Sequence, residues 1–222
     1  MNKCEYTIST QVIGTEDGRA TYEVRKTLSL SEGRRVVVIG LYPTVSLLSP
    51  YIMDYSTLFL TNRAQELGYN DFRIVNIYSK VCKGKLSSKQ LVNDDENITY
   101  LEKVFEEEKD NDTDIIIAWG SSLKLNETTK NMKIQILKML KKIINDNKIK
   151  QLTSSDLDTE TLLNPHILWM GLHCKETWYT EKVSVEHLLS ILGVTVETCE
   201  TKKKRSKKKI ESSDLCEEKI SQ

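Results

Sequence analysis

Residues 34–44 read RRVVVIGLYPT. Val36 to Ile39 are four consecutive branched apolar residues, the pattern of a strand covered on both faces. Gly40 ends the run, and Leu41-Tyr42-Pro43-Thr44 reads as the loop at the strand's carboxyl end. In α/β proteins that end carries the chemistry. The stretch therefore predicts both the fold and the place of the site, and it sets a tyrosine, Tyr42, beside the proline of that loop.

Working outward, similar short apolar runs rich in Ile and Val recur at 72–77, 114–119 and 167–172. Helical patterns fall between the strands. "DYSTLFLTNRAQELG" starts at a capping Asp54 or Ser56 and ends at Gly68. "NITYLEKVFEEEK" stacks Ile98, Leu101 and Phe105 behind Asn97 as cap. "NETTKNMKIQILKMLKKIIND" and "SVEHLLSILG" give two more helices, and "VTVETC" an edge strand. Residues 148–166 are polar and read as irregular. Before all of this, residues 4–30 form two β-rich runs joined by "GTEDG", a hairpin signature. The expected class is α/β: a three-layer sandwich about a central four-stranded, mainly parallel sheet, with an N-terminal β-hairpin.

The 222 residues allow one domain of ordinary size and a tail. The division expected is a domain over 1–200 (hairpin within 1–30) and a basic tail over 201–222. No apolar run approaches the length that crosses a bilayer, and the first residues lack the apolar core of a signal peptide. Five scattered cysteines without CxxC spacing fit a reduced, cytoplasmic protein better than a disulfide framework or a cysteine-built zinc site. Formal net charge is zero, yet residues 202–222 hold eight Lys/Arg against four Asp/Glu. Their core, "KKKRSKKK" with Lys202, Lys203, Lys204 and Arg205, reads either as a solvated tail or as an arm for nucleic-acid phosphates.

Common catalytic fingerprints are missing: no GxxxxGK[ST], no GxGxxG after the first strand, no GxSxG, and no metal-ligand spacing among His166, His173 and His187. No cofactor or metal is expected. What remains is the set of strand ends: Gly40 to Thr44, Asn76, Trp119-Gly120-Ser121-Ser122, and Gly171-Leu172-His173. In a parallel sheet these would converge on one crevice.

Their order and spacing resemble the uracil-DNA glycosylase superfamily, over about residues 5–175. The chain is still more similar to a bacterial and phage family with Leu-Asn-Pro-Ser, Asp-x-x-Thr, "GY…VVNL" and "AWG" motifs. Here these read "LYPT", Asp54 with Thr57, "GYNDFRIVNI" and "IAWGSS". The resemblance implies a uracil-DNA glycosylase-like fold and hydrolysis of the N-glycosidic bond of uracil in single- or double-stranded DNA. It implies that Asn76 reads the pyrimidine edge and that Gly40, Leu41, Pro43, Thr44, Gly120 and Ser121 shape the pocket. Tyr55 or Phe59 would stack on the base, and His173 would stabilise the departing base. Phe59 reads equally as helix core. Two departures stand out. Tyr42 replaces the Asp or Asn that places water in the superfamily, and His173 lacks the superfamily's His-Pro-Ser context. A phenol is a poor base at neutral pH, so Tyr42 is left to hold water, to fill the pocket or to stack, and reduced activity is expected. The alternatives are an inactive DNA- or nucleotide-binding module that keeps the pocket, and an interaction protein bound by a DNA mimic. No membrane partner is expected.

Overall fold

The computed structural model describes residues 3–29, 32–84, 92–121, 126–157 and 163–194. Seven strands form one mixed sheet: β1 (Ile8–Gly14), β2 (Thr21–Leu28), β3 (Arg34–Gly40), β4 (Tyr69–Asn76), β5 (Thr113–Ile117), β6 (Ile149–Ser154) and β7 (Trp178–Lys182). Their spatial order is β1-β2-β4-β3-β5-β6-β7. The middle four, β4-β3-β5-β6, run parallel. The hairpin β1-β2 joins antiparallel to β4 at one side, and β7 pairs antiparallel with β6 at the other.

Among the described residues six α-helices cover the two faces: α1 (Tyr55–Asn62), α2 (Ala64–Leu67), α3 (Asp95–Glu108), α4 (Glu127–Ile143), α5 (Ile167–His173) and α6 (Val185–Ile191). One core cluster joins Val37, Ile39 and Ile115 of the sheet to α3, α4 and α6. The other joins Val36, Val38 and Phe72 to α1, α2 and α5. Val36 to Ile39 are completely buried. Each such side chain contributes roughly 1.5–3 kcal/mol through burial, which is why the opening stretch anchors the middle of the sheet.

The expected four-stranded sheet is corrected to seven strands, of which only the central four are parallel. Two segments account for the difference. The run 167–172, expected as a strand, is helix α5. A short apolar run does not distinguish a buried strand from a buried helix by periodicity. Here His166 caps the N-terminus with Nδ1 accepting from Leu168 N at 3.2 Å. Ile167 and Met170, three residues apart, face the core, while Trp169 and Leu172 face solvent. The fourth parallel strand is instead β6, inside the segment expected to be irregular. Its polar residues hid it. Gln151 is buried, donating to Glu181 Oε1 at 2.6 Å and accepting from Asn164 N at 2.8 Å.

Smaller corrections concern the helices. Asp54, not Ser56, caps α1, and the single helix expected to Gly68 divides at Arg63. Asp94 caps α3 in place of Asn97. Asn97 is buried and ties α3 to the end of β4, its Nδ2 donating to the carbonyls of Asn76 and Ile77 at 2.8 and 2.9 Å. The edge strand expected at "VTVETC" and the basic tail lie outside the described residues beyond Val194. No described helix is long and apolar enough to cross a membrane.

Candidate functional site

The site is built where β3 and β4 end side by side. Gly40 and Asn76 are paired in register across these parallel strands. The next residues stay paired: Ile77 N donates to Gly40 O at 3.0 Å, Tyr78 N to Leu41 O at 3.1 Å, and Cys82 N to Pro43 O at 2.9 Å. This fixes the Leu41–Thr44 loop against the sheet. The loop, α1 and the start of α5 enclose a cavity of about 110 Å³ floored by Val24 and Ile74.

Three polar side chains, Asn76, Asp54 and His166, face one another around the cavity. Asn76 is 6% exposed, and among the described residues its carboxamide makes no hydrogen bond. Room for that carboxamide exists because residue 40 is glycine: a Cβ there would lie 2.5 Å from Asn76 Oδ1. The carboxamide is not among the fully buried unpaired groups; it opens onto the cavity, where its donors and acceptor are free for a ligand. Asp54 lies across the cavity and is held twice, Oδ1 accepting from Thr57 N at 2.8 Å and Oδ2 from Thr44 Oγ1 at 2.7 Å. His166 forms another wall. Burial pushes its imidazole pKa down, against the opposing pull of the Asp54 charge, so the ring is neutral at pH 7. Because Nδ1 accepts from Leu168 N, the proton sits on Nε2. Nε2–H has no acceptor among the described residues and is a neutral donor available to the cavity.

His166 is held in place by an unusual turn. Asn164 adopts positive φ, 49°, a conformation Asn tolerates better than most residues. Its carbonyl accepts from Gly120 N at 2.9 Å. Gly120 is itself left-handed, with φ 69°, and a Cβ on it would come within 2.9 Å of His166 Cβ. Lys133 of α4, 5% exposed, donates to Gly120 O at 3.0 Å and lies 5.3 Å from the Trp119 ring centre. The "AWG" end of β5 thus seats His166 and does not itself line the cavity.

Of the residues expected from sequence, Gly40, Tyr42, Pro43, Thr44 and Asn76 line the cavity together. Tyr42 is half-buried, packs on the core and donates its hydroxyl to Gly84 O at 3.2 Å. Burial pushes its phenol pKa up, further from any role as a base. Leu41 is core. Phe59 packs on Gly171, where a Cβ would fall 2.0 Å from its Cδ2, and so joins α1 to α5. Tyr55 is 69% exposed, and Ser121 is exposed. His173 ends α5 on the surface, its ring 4.7 Å from that of Trp169, and does not line the cavity. Lys202, Lys203, Lys204 and Arg205 lie outside the described residues. Sequence reasoning missed His166. Its signal was Asn164-Pro165 ahead of an apolar run, a helix-entry pattern that would have moved attention seven residues upstream.

Large exposed side chains neighbour the lining residues in sequence. Tyr51, 83% exposed, Ile52, Met53 and Tyr55 precede Ser56, and Trp169 follows Leu168. Among the described residues no three His, Cys, Asp or Glu side chains come together as metal ligands.

A family model described as a protein of unknown function, DUF1643, matches residues 22–158. The chain belongs to the DUF1643 family. The matched DUF1643 segment runs from β2 past β6 and contains Gly40, Thr44, Asp54 and Asn76. His166 and α5 lie beyond it. No curated protein and no solved structure matches the chain.

Proposed function

We propose that this DUF1643 chain binds a uracil base turned out of DNA in the cavity at the ends of β3 and β4, and hydrolyses its N-glycosidic bond. The observation that carries the reading is the Asn76 carboxamide, lining the cavity without a partner among the described residues and given its room by the missing Cβ of Gly40. An amide offers one acceptor and two donors, which suits the alternating carbonyl and N–H edge of uracil. The cavity, about 110 Å³, is well below the roughly 300–1,000 Å³ of sites for drug-sized ligands and suits one small ring.

The reaction asks little of the protein. Uracil leaves as a stabilised anion while the sugar becomes oxocarbenium-like, so most of the work is electrostatic. The neutral Nε2–H of His166 is the donor suited to the base oxygen on which that charge grows, a task the sequence had suggested for His173. Tyr42 closes the wall. The exposed aromatic residues Tyr51, Tyr55 and Trp169, next in sequence to the lining residues, would suit unstacked bases of the same strand. Lys202 to Arg205 would add phosphate contacts, each contributing about 0.7–0.9 to the salt slope of binding. Truncation after Glu200 should therefore weaken and flatten the salt dependence of DNA binding, and an unchanged salt slope would show the tail to be inert.

The test is a gel assay with uracil-containing single- and double-stranded oligonucleotides. Alkali-labile breaks at uracil are the expected result, reduced about tenfold or more by Asn76→Ala. No breaks at high protein concentration would refute the hydrolytic reading.

A further inference from the structure

Among the described lining residues Asp54 is the one carboxylate. Its two known bonds, from Thr57 N and Thr44 Oγ1, use one acceptor site on each oxygen. A carboxylate has about four such sites, so both oxygens keep capacity for a water. The same two bonds fix the carboxylate's direction, since one comes from the helix backbone and the other from the loop after β3. Tyr42, by contrast, spends its hydroxyl proton on Gly84 O.

We propose that the Asp54 carboxylate, rather than the Tyr42 hydroxyl, holds the attacking water and takes its proton. The inference rests on the reading of the cavity as a uracil-hydrolysing site. The water oxygen bonds to C1′ of the sugar as the bond from C1′ to the base nitrogen breaks. The electron pair of that bond leaves with the base. The water proton passes to Asp54 and then to solvent, and the departing anion, held by His166 Nε2–H and Asn76, is protonated from solvent. The negative carboxylate also faces a sugar that is gaining positive charge, which lowers the barrier a second time. The cavity that lacks an Asp or Asn beside Pro43 thus still holds a carboxylate, ten residues after Thr44.

Asp54→Asn separates this role from helix capping, because Asn caps as well as Asp and keeps an oxygen for Thr57 N. Asp54→Ser also caps and guards against an effect peculiar to the amide. Two quantities are read: single-turnover excision from a uracil oligonucleotide, and affinity for the same oligonucleotide carrying a 2′-fluorinated, slowly cleaved uridine. The expected result is a rate about a hundredfold lower in both variants, with affinity within threefold of wild type and an unchanged melting temperature. Excision within threefold of wild type in either variant would overturn the proposal. So would a loss of affinity as large as the loss of rate, which would make Asp54 a recognition or structural group. Absence of excision by the wild-type chain would instead refute the hydrolytic reading itself, and this inference with it.

Discussion

Gly40→Ala tests whether Asn76 is held ready by the backbone. The added Cβ would lie 2.5 Å from Asn76 Oδ1, whereas the next nearest atoms, Asn76 Cγ and Val75 O, are 3.6 and 3.7 Å away. Only the carboxamide is in the way, and it is the free end of a side chain. The residue is not left-handed, so alanine fits its backbone. Displacing the amide into a poorer rotamer costs about 0.5–1.5 kcal/mol, and replacing glycine returns about 0.4–1 kcal/mol through the unfolded state. Stability should therefore change by less than about 1 kcal/mol, a shift of a few degrees at most. Recognition should suffer more, since a base edge left unpaired costs about 1–3 kcal/mol, or roughly five- to a hundred-and-fiftyfold in binding and excision. The two substitutions act on one contact, so Gly40→Ala combined with Asn76→Ala should be no worse than Asn76→Ala alone. Calorimetry and single-turnover excision measure both halves. Full activity in Gly40→Ala, or a further loss when it is added to Asn76→Ala, would refute the argument that this glycine serves Asn76.

Opposite the cavity, Arg73 is buried between Glu23 (Nε–Oε1 2.8 Å) and Glu108 (Nη1–Oε1 2.6 Å). Burial alone would raise both carboxyl pKa values, but the hydrogen bonds from Arg73 and its neighbours outweigh it and hold both below their usual 4.5. Their stabilisation is present above about pH 4.5 and is lost as pH falls through the lowered folded values, so urea midpoints should hold steady down to about pH 5 and drop below it. Glu23→Gln should cost about 1–3 kcal/mol at pH 7 by weakening the charged hydrogen bonds to Arg73, which keeps Glu107 and Glu108 as partners; no measurable loss would contradict this. Burial pushes the Lys133 ammonium down to about 8 from 10.5. Between those values the unfolded chain holds the extra proton, so stability should rise from about pH 8 to 10.5, and NMR titration of Lys133 should find its midpoint near 8. Tyr42→Phe removes only the bond to Gly84 and should slow excision less than about threefold, against an order of magnitude or more if the hydroxyl held the water.

Much of this was legible in the sequence. Val36 to Ile39 and Ile115 to Ile117 announce themselves because continuous branched apolar runs have few other uses, Ile74-Val75 repeats the signal more briefly, and the loop after β3 follows from where the run stops. Asn76 was readable as a strand-end polar residue. The misreadings have a common cause: a side chain's environment is set by tertiary partners the local pattern does not show. Gln151, Thr153 and Ser154 look like loop residues, yet all three are buried in β6. "ILWMGL" looks like a strand, yet Gly171 is small there so that Phe59 can pack on helix α5. Once that run is a helix, its first turn, not its last residue, meets the cavity, which moves the histidine of interest from His173 to His166. Asp54 was visible as a helix cap, and nothing local reveals that the cap also faces Asn76 and His166 across one cavity.

Whether this cavity receives a uracil ring through Asn76 can be read by NMR at that side chain. Side-chain amide resonances of the nitrogen-15-labelled chain would be followed while a 2′-fluorinated uracil oligonucleotide is added, with the matching thymine oligonucleotide as comparison. A large shift of the Asn76 amide pair is expected with uracil, a much smaller one with thymine, and loss of the discrimination in Asn76→Ala. Tight binding of both oligonucleotides with the Asn76 amide unmoved would contradict uracil recognition by Asn76.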